Sequence, residues 1–185
     1  MEEVRSVVGA LLRAESERYL ALVYLVWIPP FAVGTYVSLA TGLWTALTVA
    51  SVVGAVLYAW TIRSYSKLFA PRPAKRASKL LVALVVALIA VPWALGVLGL
   101  PVAWGVALGV GAVVVLFAAA FKYPSRKTDA ASGAALVALT VLGSSALNPW
   151  EAFALSVIAV YSSAALAHLV YGLYEVVPYA EGGER

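Results

Sequence analysis

The last apolar stretch of the chain carries Tyr161, His168, Tyr171 and Glu175 at i, i+7, i+10 and i+14, a spacing that sets all four on one face of a helix. Ala164, Ala165 and Gly172 keep that face lean between them. His168 is the sole histidine, and an imidazole inside a membrane turns inward, toward a partner or a cavity. Two uses follow. One is a substrate or proton pathway with His168 as ligand or carrier. The other is an interhelical hydrogen bond to a Ser, Thr, Tyr or backbone carbonyl, worth about 0.6 kcal/mol on average in a bilayer. The rest of the catalytic alphabet is nearly empty. HExxH, CxxC, GxSxG and P-loop patterns are missing, cysteine does not occur, and Asp129 is the only aspartate. A thiolate metal site and a haem held by two histidines of this chain are excluded. No catalytic residue, metal or cofactor is expected, and the chain is not expected to be an enzyme. A lipid-modifying enzyme would need His168 and Glu175 to converge with a third polar group, such as Ser144 or Ser145.

The elements that must hold these residues are set by composition. Of 185 residues, 63% are hydrophobic and 12% charged, against about 45–50% and about 25% in soluble domains. Too few charges remain to cover a water-facing surface. A soluble cytosolic enzyme, a nucleic-acid-binding domain and a disordered tail are excluded, so the net charge of +4 does not indicate nucleic acid as a partner. The expected fold class is an all-α integral membrane protein with six transmembrane helices arranged as three hairpins. The apolar runs are 19–41, 43–62, 80–99, 101–121, 131–147 and 150–174, most of them near the roughly 20 residues a helical span needs. The fifth is the shortest and holds Ser132, Gly133, Thr140, Gly143, Ser144 and Ser145, so it either spans or re-enters. Before the first run, Val4, Val7, Val8, Leu11 and Leu12 form one apolar helical stripe. That stripe fails at Glu15 and Arg18, so a short amphipathic interfacial helix is expected over 1–18, a membrane domain over 19–177 and a tail over 178–185.

Charge placement predicts topology. With six crossings and the N-terminus in the cytoplasm, all 13 Lys and Arg residues fall on the cytoplasmic side and none on the other. Basic loops stay cytoplasmic, so the plasma membrane with both termini inside is the expected location. The densest cation cluster, in loop 63–79, includes Arg72, Lys75, Arg76 and Lys79. It anchors topology and is a candidate dock for lipid headgroups or a partner. The three outer connections are Thr41-Gly42-Leu43, Gly99-Leu100-Pro101 and Asn148-Pro149. Each is followed within three residues by a tryptophan, Trp44, Trp104 or Trp150, as in an interfacial aromatic belt. Asn148-Pro149-Trp150-Glu151 fits a helix start in which Asn caps and Glu reaches back.

The odd-numbered runs carry backbone breaks at Pro29, Pro30, Pro92 and Gly143. Freed carbonyls at such breaks either bind ions or substrate, as in transporters, or are satisfied by neighbours. Thr35, Ser38 and Thr41 are placed for that repair. Gly105-x-x-x-Gly109, with Gly111 beside it, predicts a close helix contact. Gln is absent and Asn occurs once, which fits a thermophile as well as a membrane.

In span number and size the chain resembles substrate-binding subunits of energy-coupling-factor vitamin transporters. Its N-terminal surface helix resembles that of small ABC-type permeases. Both are likenesses of shape, and they imply a small transporter or the membrane subunit of one. The alternative is a non-catalytic accessory or scaffold subunit of a membrane complex. Expected partners are the lipid bilayer and either other membrane subunits or further copies of the chain. A solvent-connected cavity touching His168, Tyr161 and a proline break would favour transport. A dry bundle with a flat apolar flank would favour the scaffold.

Overall fold

The computed structural model describes residues 2–43, 45–69, 92, 94–120, 123 and 125–180. These fold into helices α1 (Glu2–Leu25), α2 (Ile28–Thr41), α3 (Thr45–Phe69), α4 (Val102–Ala120), α5 (Arg126–Gly143) and α6 (Pro149–Ala180), with no strand among the described residues. Three stretches are long and apolar enough to cross a membrane: Ser6–Thr41, Val102–Ala119 and Pro149–Val177. The described residues are therefore all-helical in class, with apolar helices compatible with a membrane-embedded protein. Much of the third predicted run and the cluster Arg72, Lys75, Arg76 and Lys79 lie outside the described residues.

The N-terminal stretch departs from expectation. No boundary falls near Glu15, and α1 continues to Leu25. Glu15 does not end the helix because Arg18, three residues on, bonds it at 2.6 Å on the exposed face. The interruption comes at Val26–Trp27 instead. Pro29 and Pro30 have no N–H to give to the carbonyls of Leu25 and Val26, so the α-helical ladder must stop there. α2 restarts with both prolines in its first turn, where a missing donor costs nothing. Thr35, Ser38 and Thr41 do not repair the break. Thr41 bonds Val37 O, Ser38 turns to Glu151, and Thr35 Oγ1 is buried with no partner.

The face that α1 buries in the protein is not its valine and leucine stripe. Val8, Leu11 and Leu12 are exposed, whereas Ala10, Ala14, Glu17, Ala21 and Tyr24 are buried. In a bilayer, lipid receives large apolar side chains as readily as protein does. Helix contacts are then made by small residues that allow close approach and by polar ones that find partners. The alanine face of α1 lies along α6, and a β-carbon on Gly172 would come within 3.2 Å of Ala14 O.

Helix α6, of 32 residues and about 48 Å, touches every other described helix. The α1–α2 stretch runs antiparallel to it, Arg13 meeting Glu175 at one end and Ser38 meeting Glu151 at the other. α3 folds back on α2, where a β-carbon on Gly34 would meet Ala50 Cβ at 2.6 Å. On the other flank α4 and α5 form a tight antiparallel pair. A β-carbon on Gly111 would stand 2.6 Å from Gly133 O, and one on Gly133 the same distance from Gly111 O. The expected close contact of α4 is thus made by Gly111, while Gly105 lies against Pro92 Cα at 2.5 Å by the same measure. α5 ends at Gly143, as expected of a breaker, beside Ala152 near the start of α6. Between those ends α5 does not turn back. Gly42, in the left-handed region at φ 70°, closes α2 and gives its N–H to Ser38 O.

Antiparallel pairing gathers the basic side chains Arg13, Arg18, Arg63, Arg126 and Lys127 at one end with Glu175, while Glu151 lies at the other. The turns at Gly42, Gly99 and Asn148 lie at the other.

Candidate functional site

His168 is fully buried, and the two groups that hold it were not among the residues its helix spacing suggested. Its Nδ1 lies 2.7 Å from Glu17 Oε2 and its Nε2 lies 2.8 Å from Asp129 Oδ1. Glu17 and Asp129 are 1% and 2% exposed, so both carboxyl groups are as deep as the imidazole. Three helices supply the trio. α1 brings Glu17 on its alanine face, α5 brings Asp129 in its first turn, and α6 brings His168 two turns from Glu175.

The remaining polar atoms close a network. Asp129 Oδ1 also accepts from Tyr24 Oη at 2.7 Å, and its Oδ2 accepts from Tyr123 Oη. Ser125 Oγ donates to Glu17 Oε2 at 2.6 Å and lies 2.9 Å from His168 Nδ1. Only Glu17 Oε1 has no partner. Burial, and then the bond to Asp129, pushes the Tyr123 phenol well above its usual range. Tyr24 stacks on the imidazole at 5.5 Å between centroids and meets the edge of Tyr161 at 5.0 Å.

Of the predicted face, Tyr161 and His168 are buried and linked through Tyr24. Glu175 sits at its rim, bonded to Arg13 at 2.6 Å. Tyr171 is 39% exposed and takes no part. Glu175, Ser144 and Ser145 do not converge on His168, as a lipid-modifying enzyme had required. Ser144 accepts from Trp104 Nε1 at 2.9 Å at the far end of α5. There Asn148 caps α6 through the N–H of Trp150, as expected, but Glu151 bonds Ser38 and does not reach back.

The arrangement limits the chemistry. A neutral imidazole has one N–H and one lone pair, whereas an imidazolium donates on both sides. A carboxyl oxygen lies against each ring nitrogen, and Ser125 gives its hydroxyl proton to Glu17 Oε2, so no free ring lone pair is directed at Ser125. A serine nucleophile is therefore not assembled, despite the Ser125–His168–Asp129 sequence of contacts. Nor do the acids converge on one point, since the ring separates them. Among the described residues no group of three or more such side chains could hold a metal ion. An apolar groove of about 530 Å³ runs between α2 and α3, lined by Pro29, Pro30, Gly34, Ala46 and Ala50 among others. It touches the proline break but neither His168 nor Tyr161.

Fold and site together define a chain whose described residues are helical, with three stretches long and apolar enough to cross a membrane and a buried network of ionisable groups where three helices meet. No protein-family model, curated protein or solved structure matches it.

Proposed function

We propose that the chain is a six-span protein of the plasma membrane with both termini cytoplasmic, and that it is a small transporter or the membrane subunit of one. The orientation is supported by the cations gathered at one end of the bundle, since such ends remain cytoplasmic. The course of α5 from that end to the other favours a full crossing over a re-entrant segment. The observation that carries the transport reading is the burial of Glu17, Asp129 and His168 together. Ionisable groups inside a membrane bundle are expensive and mark substrate or ion pathways.

The α2–α3 groove favours a second reading, a non-catalytic accessory or scaffold subunit. It provides an apolar flank at the proline break, remote from the ionic network.

Native mass spectrometry of the chain purified from its own membrane tests the choice. Transport predicts a retained small-molecule adduct that the His168→Phe variant, folded by circular dichroism, loses. Identical adducts on both chains, or none on either, contradict the pathway and leave the scaffold.

A further inference from the structure

We propose that the Glu17–His168–Asp129 network is a one-proton binding site, with Glu17 Oε1 as the seat of the exchanging proton and His168–Asp129 as a permanent ion pair. This deepens the transport reading by naming the ion that its site handles.

The assignment follows from counting donors. Asp129 receives three: the hydroxyls of Tyr24 and Tyr123 and the Nε2–H of His168. Its two oxygens offer about four lone-pair positions, so three are taken, and a proton in the last would share Oδ2 with the Tyr123 hydroxyl. Glu17 Oε2 receives two, from Ser125 and from His168 Nδ1–H. Glu17 Oε1 receives none and is buried. It is the one carboxyl oxygen of the trio that accepts no hydrogen bond.

Charge leads to the same atom. An imidazolium between two carboxylates leaves one uncompensated negative charge. A proton on Oε1 brings the cluster to zero, and release restores the negative site.

The neighbouring charges do not alter that balance. On α1, Arg13 is bonded to Glu175 of α6, and Glu15 is bonded to Arg18 at the surface. On α5, Arg126 and Lys127 are exposed, and Ser125 is a neutral donor. Among the described residues, Tyr24, Tyr123 and Tyr161 are the other titratable side chains bonded to or stacked around the cluster. A metal cation is a poorer fit, because a hard cation takes six or more oxygens and the open position offers one carboxyl oxygen beside a serine hydroxyl. A proton needs only a lone pair.

The sequence makes the test unusually clean, since His168 and Asp129 are each unique. The full chain in lipid, carrying 15N-histidine and 13C-aspartate, is titrated by NMR and by infrared spectroscopy. The site predicts that both ring nitrogens stay protonated and that the aspartate stays ionised throughout. One carboxyl band of a buried, weakly hydrogen-bonded acid, above the frequencies of the solvated glutamates, then appears and disappears with pH. It keeps its frequency on aspartate labelling, shifts on 13C-glutamate labelling, and is lost in Glu17→Gln but not in Glu15→Gln. A band that shifts with the aspartate label, a histidine that passes to the neutral form across the transition, or no such titrating carboxyl band overturns the proposal. The wild-type arms decide even if Glu17→Gln fails to fold. If these signatures appear while wild type and His168→Phe carry the same adducts, the proton site stands and transport falls. The opposite pair of results leaves transport and removes the site.

Discussion

His168 and Asp129, the only histidine and the only aspartate of the chain, meet at 2.8 Å in the interior, 39 residues apart in sequence. The contact joins α6 to the first turn of α5, and Glu17 on the other side of the ring joins both to α1. One imidazole thus ties three helices at the charged end of the bundle.

Removal of each member has a different cost. Truncating one partner of a buried ionic pair leaves the other charge uncompensated, at about 3–5 kcal/mol. His168→Leu strands two carboxylates and should cost that much. Asp129→Asn keeps the acceptor for Tyr24 but weakens its bonds, and should cost less. Glu17→Gln leaves the neutral His168–Asp129 pair and should cost least. Thermal or SDS unfolding of the three variants gives the order, and a reversed order contradicts the ionic reading.

Surface pairs are expected to matter little. Arg13–Glu175 is as short as the Ser125–Glu17 bond of the network, both at 2.6 Å, but Arg13 is 53% exposed. Solvent screening holds such pairs to about 0.2–1 kcal/mol. Arg13→Gln should leave the unfolding midpoint almost unchanged while His168→Leu lowers it clearly.

Alkaline pH should loosen the fold through Tyr123. A phenol whose folded value is raised binds its proton more tightly folded than unfolded. The stability it adds is complete below its unfolded value, about pH 10, and is lost as pH rises from there toward the folded value. Tyr123→Phe should therefore be somewhat less stable at neutral pH, with a shallower loss of stability above pH 10. Equal alkaline slopes in the two chains would contradict the Tyr123–Asp129 bond.

Glycine substitutions separate packing from propensity. At Gly111 a β-carbon would lie 2.6 Å from the backbone oxygen of Gly133, and neither backbone can yield without parting α4 from α5. Gly111→Ala should lower the melting temperature sharply. At Gly9 the nearest atom is the tip of Arg13, 3.6 Å away. Gly9→Ala should be neutral or stabilise by up to about 1 kcal/mol, the helical gain of Ala over Gly.

Sidedness is open to direct labelling, because the chain has no cysteine. Ser145→Cys, in the exposed turn after α5, should react with an impermeant maleimide added to intact cells. Lys127→Cys, exposed at the opposite end, should react only after lysis. Reaction of Lys127→Cys in intact cells would invert the proposed topology.

Much of this arrangement is legible in the residues, and the gaps have physical causes. The helical class follows from composition. The breaks at Pro29–Pro30 and Gly143 follow from local chemistry, since a missing N–H and a missing Cβ act wherever they occur. His168 is found because an imidazole in an apolar run is conspicuous. Glu17 and Asp129 escape because each is flanked by surface charges, Glu15 and Arg18 in one case, Arg126 and Lys127 in the other. Charge runs read as solvated, and only tertiary packing separates the inward acid from its neighbours. A signal was present in the alanines. Ala10, Ala14, Glu17, Ala21 and Tyr24 share one face of α1, as Ser125, Asp129, Ser132, Leu136 and Thr140 do on α5, and these small and polar faces are the ones the helices bury. The stripe of Val8, Leu11 and Leu12 pointed outward because hydrophobicity alone does not choose between lipid and protein.

The most direct test uses the two unique residues. Rotational-echo double-resonance NMR on the chain in lipid, with 15N at Nε2 of His168 and 13C in the side-chain carboxyl of Asp129, measures one internuclear distance with no competing pair. An Nε2 in hydrogen-bond contact with Oδ1 predicts strong dephasing from a separation of about 3–4 Å, given the bond geometry. No measurable coupling in the folded chain would mean that aspartate and histidine do not meet, and the buried ionic site would be lost with them.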